Sequence, residues 1–232
     1  MNLKASSRLS KDSRRVLFFG KQNDPFCEKA ADFVKSRFEQ PLILIGRRGD
    51  PFPDVGTEAI DIVISYLSPW IIPANVLKQA KTSAINFHPG PPEYPGIGCT
   101  NFAIYEDAKT FGVTCHHMEP AVDTGKVIAT SRFPISKNDT VYALTQRCYQ
   151  HIFDLFNQVM TVILEKKPLP VSSEHWTRKP FKRSELNDLC RLTKDMSPEE
   201  MARRIRAVTF PGMPGAYIEL AGTKFIPANT PS

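Results

Sequence analysis

Val16-Leu17-Phe18-Phe19-Gly20-Lys21-Gln22-Asn23-Asp24-Pro25 is the stretch from which the architecture can be read. Five uncharged residues, 16–20, form a short apolar run bounded by turn-favouring residues, which predicts a buried first strand. Asp24 can cap free backbone amides, and Pro25 suits the first helical position, so a helix is predicted to start there. The same alternation continues outward. Residues 41–45 predict a second strand and Asp-Ile-Val-Ile-Ser, 61–65, a third. A helix over 73–81 and a strand ending at Asn86-Phe87 follow. This rhythm predicts a mostly parallel sheet flanked by helices. In such sheets the ligand crevice lies outside the carboxyl ends of the strands, so Ser65 and Asn86 point to one region.

Two more strands are predicted over 111–118 and 126–133, joined by a loop over 119–125. A long helix covers about 140–166. Its apolar residues Val141, Leu144, Cys148, Ile152, Leu155, Phe156, Val159 and Ile163 follow helical spacing, and Lys167-Pro168 ends it. Residues 174–183 then mix basic and aromatic side chains. Ser184 starts a short helix, and Ser197-Pro198-Glu199-Glu200 reads as a capping box. Residues 216–220 and 223–226 flank Ala221-Gly222 as a hairpin. The chain divides into a polar tail over 1–15, expected to be disordered, a main domain over 16–168, and a C-terminal subdomain over 169–232.

The 232 residues are 41% hydrophobic and 23% charged, which suits a globular protein with one main domain. No apolar run is long enough to span a bilayer, and residues 1–15 lack a signal-peptide stretch. The expectation is a cytoplasmic protein with no membrane partner. Five cysteines without a CxxC pair argue against a disulfide framework or a zinc knuckle. The net charge of +6 is spread along the chain. It suits an anionic ligand, but it is not gathered into the stripe that nucleic-acid binding requires.

The chemistry concentrates in residues 85–98. Alternation along a strand puts Asn86 and His88 on one face, side by side at a strand end. The following Pro-Gly run makes a stiff loop above them. An amide and an imidazole so placed suit acyl transfer, where each N–H donor to the oxyanion is worth roughly 3 to 4 kcal/mol. The plainer reading is a turn-favouring Asn beside a half-buried His. Asp123 lies in a loop that can return to this pair, and a carboxylate beside an imidazole raises its basicity. His116 and His117 face opposite ways on a strand and are not expected to share a metal.

Taken in order, Leu67-Ser68-Pro69, Asn86-Phe87-His88-Pro89, Tyr94-Pro95-Gly96, Gly112-Val113-Thr114 and residues 123–128 resemble the formyltransferases that use 10-formyltetrahydrofolate. The resemblance covers roughly residues 16–134. Residues 88–96 are similar to the loop of the sugar N-formyltransferases, which act on nucleotide-linked amino-dideoxy sugars. The implied fold class is α/β. It is a Rossmann-like formyltransferase fold with a small C-terminal helix and β-hairpin appendage.

The resemblance implies catalytic roles for Asn86, His88 and Asp123. Asn86 would hold the oxyanion, His88 would polarise it or take the amine proton, and Asp123 would orient His88 and relay protons. Which of them moves the proton stays open. A folate pocket is implied at Ile64, Ser65, Tyr66, Leu67, Ile72, Pro120 and Val122. The acceptor side is expected at Gly20, Lys21, Tyr94, Gly96, Trp176, Arg178 and Lys179, with Trp176 or Phe181 stacking on a base. No metal is expected. The acceptor would be a dTDP-linked amino-6-deoxy sugar such as dTDP-4-amino-4,6-dideoxyglucose, made for O-antigen or other surface glycan. Rival readings are another amine, such as glycinamide ribonucleotide, or a binding protein without turnover. A two-stranded hairpin is poorly supported alone, which suggests a homodimer through it.

Overall fold

The computed structural model describes residues 10–226. Nine strands and six helices follow in the order β1 (Val16–Lys21), α1 (Pro25–Arg37), β2 (Leu42–Gly46), β3 (Ile60–Tyr66), α2 (Ala74–Leu77), β4 (Ala80–His88), α3 (Cys99–Tyr105), β5 (Thr110–His117), β6 (Val127–Pro134), α4 (Val141–Leu164), α5 (Arg183–Cys190), β7 (Arg191–Leu192), α6 (Pro198–Val208), β8 (Tyr217–Leu220) and β9 (Thr223–Phe225). The main sheet has six strands in the order β2-β1-β3-β4-β5-β6. The first four are parallel, and β5 and β6 close the far edge antiparallel.

Local signals explain several elements. Asp24 accepts from the amides of Phe26 and Cys27 at the start of α1, with Pro25 in the first turn. Ser197 accepts from Glu200 N–H and so caps α6. The apolar stripe of α4 runs along one face of the sheet. It packs with Phe18, Ile64, Tyr66, Ile85 and Phe87 into the large core. The opposite sheet face carries Leu17, Phe19 and Val63 in a smaller core with Ile72 and Val76.

Four expectations change. The helix predicted over 73–81 is only Ala74–Leu77, because β4 begins at Ala80 to pair with Ile60 of β3. Within the expected tail, residues 1–9 lie outside the described residues, but residues 12–15 are docked. Asp12 bridges to Phe38, Arg14 donates to Ile163 O, and Arg15 N–H donates to Asp61. The hairpin is not a lone pair of strands: β7 runs parallel to β8 and makes a three-stranded sheet. Finally, the described residues after 168 share the large core. Phe181, Leu189, Leu192, Ala207, Val208 and Ala216 are buried in the large one.

Residues 169–182 form a strap that crosses outside the main sheet. Ser172 N–H donates to Val127 O, Thr177 N–H to Pro92 O and Phe181 N–H to Pro95 O, while Ile97 N–H donates back to Phe181 O. Arg132 of β6 pairs with Glu174 on the strap and with Glu93 on the Pro-Gly loop. Gly96 is the tightest point. It sits at φ +85°, and an added Cβ would lie 2.5 Å and 2.6 Å from the Phe181 backbone O and N. Only glycine meets both demands at little cost. Gly96→Ala is expected to lose about 1 to 3 kcal/mol of stability by urea unfolding, the usual cost of a strained backbone site. A wild-type midpoint would contradict this packing.

Candidate active site

β4 delivers Asn86 and His88, and its antiparallel neighbour β5 places His116 directly opposite Asn86. The loop after β5 brings Asp123 back beneath them. Asp123 adopts φ +48°, a left-handed conformation that aspartate tolerates better than most residues. Its carboxylate is buried and has three partners. Oδ2 lies 3.2 Å from His88 Nδ1, Oδ1 lies 3.2 Å from His116 Nε2, and Gly96 N–H donates to Oδ2 at 2.7 Å.

The imidazoles are held from their other sides. His88 Nε2 lies 3.0 Å from Tyr94 O. Both His88 partners are acceptors, so the ring satisfies them together only when both nitrogens carry protons. His116 Nδ1 lies 2.7 Å from His117 O and must donate there. Its Nε2 lies 3.0 Å from Asn86 Nδ2 and 3.2 Å from Asp123. A neutral His116 thus accepts from Asn86, and a protonated one donates to Asp123. Thr114 Oγ1 donates to Gly90 O at 2.8 Å and fixes the loop above the pair.

Next to His88 sits Cys99, whose thiol donates to Pro89 O. Burial pushes it up to about 12, so it stays protonated and is no nucleophile.

Asn86, His88, His116 and Asp123 floor a cavity of about 790 Å³. Its wall includes Ser65, Leu67, Ile72, Pro120 and Val122 from the expected folate pocket. Ile64 and Tyr66 are not in the wall. Strand alternation turns both into the large core, where each is fully buried. Trp70 and Ile71 line the cavity and were not expected. Trp70 is fixed by its indole N–H to Asp50 O and Pro51 O.

The acceptor-side residues divide. Lys21, Gly96 and Lys179 line the cavity, joined by Lys182 and Tyr149. Lys21 Nζ donates to Tyr149 OH at 2.9 Å. Burial works against the Lys21 charge, but Tyr149 and Asp24 outweigh it and the amine ends above its usual value. Gly20 does not face the cavity. An added Cβ would lie 2.4 Å from Cys27 Sγ, so its smallness serves strand-to-helix packing.

Tyr94 is a buried anchor between Phe111 and Phe181, with its hydroxyl on Glu106; only its backbone serves the site. Trp176 packs behind His88 and His116 rather than on the cavity wall. Phe181 lies at the cavity edge, but its ring is taken by Phe102 at 3.7 Å and by the Arg178 guanidinium at 3.4 Å. Neither aromatic is free to stack on a base, and Arg178 is spent on Phe181, Glu106 and Glu185.

His116 joins this cluster without having been expected there. The signal for it was the alternation of His116 and His117 along β5. One of the two had to face the side of β5 that Asn86 and His88 share. Among the described residues no group of three or more His, Cys, Asp or Glu is arranged to hold a metal ion.

Electrostatics set the state of Asp123. Burial alone would raise it, but His88, His116 and the Gly96 amide outweigh burial and hold it at about 2, below the usual 3.8. A carboxyl depressed on folding stabilises the fold above its unfolded pKa. That contribution, on the order of 2 kcal/mol, is lost as pH falls through the folded value. The stability gap between wild type and Asp123→Asn should therefore close between about pH 4 and pH 2 in urea titrations. Both imidazoles are already protonated there in the unfolded chain, so the window isolates Asp123. A gap that persists to pH 2 would contradict the ion-paired carboxylate.

Comparison with known proteins places this geometry. Residues 55–160 match the family model described as formyl transferase. GDP-perosamine N-formyltransferase of Brucella melitensis is 26% identical over 167 residues, 70% of this chain and 62% of that protein. The chain spans less than two thirds of the length of the first curated relatives it matches. A sugar N-formyltransferase from Shewanella sp. FDAARGOS_354 superposes with a TM-score of 0.71 at 21% identity, over 91% of this chain and 95% of that one. The N-formyltransferase of Helicobacter canadensis, solved with folinic acid and dTDP-3-aminofucose, gives 0.67 at 19% identity, over 92% and 86%. Residues 55–160 are thus similar to formyl transferases, and the chain shares its fold with sugar N-formyltransferases.

Proposed function

We propose that this protein transfers a formyl group from 10-formyltetrahydrofolate to the amine of a nucleotide-linked amino-dideoxy sugar. The observation that carries the reading is the cluster of Asn86, His88 and His116 around the Asp123 carboxylate, on the floor of the cavity. The domain match and the nucleotide-sugar and folate ligands of the Helicobacter canadensis neighbour support the choice of donor and acceptor.

The cavity residues suit both partners. Leu67, Ile72, Pro120 and Val122 supply apolar wall for a pterin ring. Lys21, Lys179 and Lys182 supply cations for a diphosphate. The acceptor nitrogen attacks the formyl carbon and an oxyanion develops. The Asn86 amide and a protonated imidazole stabilise it. Collapse breaks the bond between the formyl carbon and the donor nitrogen. The acceptor loses one proton and the donor nitrogen gains one.

Held below the usual carboxylate range, Asp123 is ionised at neutral pH. That favours an imidazole as the mover of the proton and Asp123 as its fixed counter-charge. A dTDP-linked 3- or 4-amino-6-deoxy sugar is the acceptor we favour, with a role in O-antigen or other surface glycan synthesis in the cytoplasm. A homodimer through the β8–β9 hairpin completes the reading. Leu220, Phe225 and Ile226 are exposed there and would be covered.

A panel of amines incubated with 10-formyltetrahydrofolate, followed by tetrahydrofolate release, tests the function. Release with a dTDP-3-amino or dTDP-4-amino-6-deoxy sugar is expected, and release with glycinamide ribonucleotide alone would contradict the proposal. In the same assay His88→Ala should lose about 100-fold or more in turnover while remaining folded by circular dichroism. Full turnover by that variant would remove His88 from the chemistry.

A further inference from the structure

The strap supplies one side chain to the reaction centre without lining the cavity. The Trp176 indole N–H donates to Gly125 O at 2.7 Å, two residues beyond Asp123. Its ring stands edge-on to both imidazoles. The centroid lies 5.0 Å from His116 at 89° and 5.8 Å from His88 at 75°. Neighbouring residues fix its place, through Thr177 N–H on Pro92 O and Glu174 on Arg132.

We propose that Trp176 is a positioning residue for formyl transfer, in which one indole, tied to the Asp123 loop, holds the His88 and His116 rings against their shared carboxylate. This rests on the formyl-transfer reading. The physical case is geometric. Each imidazole is held at its nitrogens by hydrogen bonds, whose angles tolerate a limited tilt of the ring. A single rigid ring in contact with both removes that freedom. Its N–H anchor makes it move with the loop that carries Asp123. Edge-on contacts between aromatic rings are favourable beyond their buried area.

The titratable groups facing the indole are His88 from β4 and His116 from β5, with Asp123 behind them. Its strap neighbours Glu174 and Arg178 are turned to Arg132 and to Glu106 and Glu185.

Two measurements test the proposal. In steady-state assays with 10-formyltetrahydrofolate and the best amino sugar, Trp176→Ala should lower kcat on the order of 100-fold, with the donor KM within about threefold, because misplacement harms the chemical step more than binding. Trp176→Phe keeps a ring without the anchor and should recover most of that loss. Unchanged kcat in Trp176→Ala would overturn the proposal. So would Trp176→Phe behaving no better than Trp176→Ala.

The second measurement needs no turnover. The chain has two tryptophans, so Trp70→Phe leaves Trp176 as its sole indole. A protonated imidazole in contact quenches indole emission. Emission should therefore fall as the imidazoles protonate, and the fall should vanish when His88→Asn and His116→Asn are combined. A flat emission profile in an active protein overturns the role of Trp176 alone. A titrating profile with no transfer to any amine overturns the functional reading and with it the positioning role. If Trp176→Ala fails to fold, Trp176→Phe and the emission profile decide.

Discussion

The carboxylate of Asp123 is the constraint on which the rest of the site depends. It is buried, ionised and shared by His88, His116 and the Gly96 amide. An unpaired charge at that depth would be costly, so its three partners are requirements of burial and not additions to it. Meeting them fixes three parts of the chain at once: the end of β4, the end of β5 and the Pro-Gly loop. The loop in turn fixes the strap, through the two-way contact of Gly96 and Ile97 with Phe181. The strap returns Trp176 to the two imidazoles, which closes the circuit.

This arrangement divides labour along the cavity. Apolar wall lies near Leu67 to Ile72 and Pro120 to Val122. Cationic side chains come from the end of β1 and from the end of the strap. His88 and His116 share the same cavity, each 3.2 Å from a single carboxylate. Lys21 keeps its charge because Tyr149 and Asp24 outweigh its desolvation. The cysteines near the site are driven the other way by burial and stay chemically silent. In the proposed function the centre works by proton placement and oxyanion stabilisation.

Much of this was legible in the sequence where local rules suffice. The strand over 16–20, the Asp24-Pro25 helix start, the long α4 stripe and the shared face of Asn86 and His88 all follow from period and capping. What was not legible depended on partners distant in sequence. His116 enters the site through its cross-strand register with Asn86. Trp176 and Tyr94 looked like ligand contacts because they are aromatic in basic or loop segments. Tertiary packing instead spends Tyr94 on Phe111 and Phe181, and Trp176 on the imidazoles. Ile64 and Tyr66 belonged to the right strand but the wrong face. The short α2 was set by the pairing of Ala80 with Ile60, and the third strand beside the hairpin by the pairing of Arg191 with Tyr217, which no local propensity records.

The central claim is that one ionised carboxylate holds both imidazoles. Its most direct test is a carbon-13 NMR titration of the Asp123 side-chain carboxyl in the folded protein. The account predicts a midpoint near 2 that moves upward when His116 is replaced by asparagine. A midpoint at or above the ordinary value of 3.8, or one indifferent to His116, would contradict it.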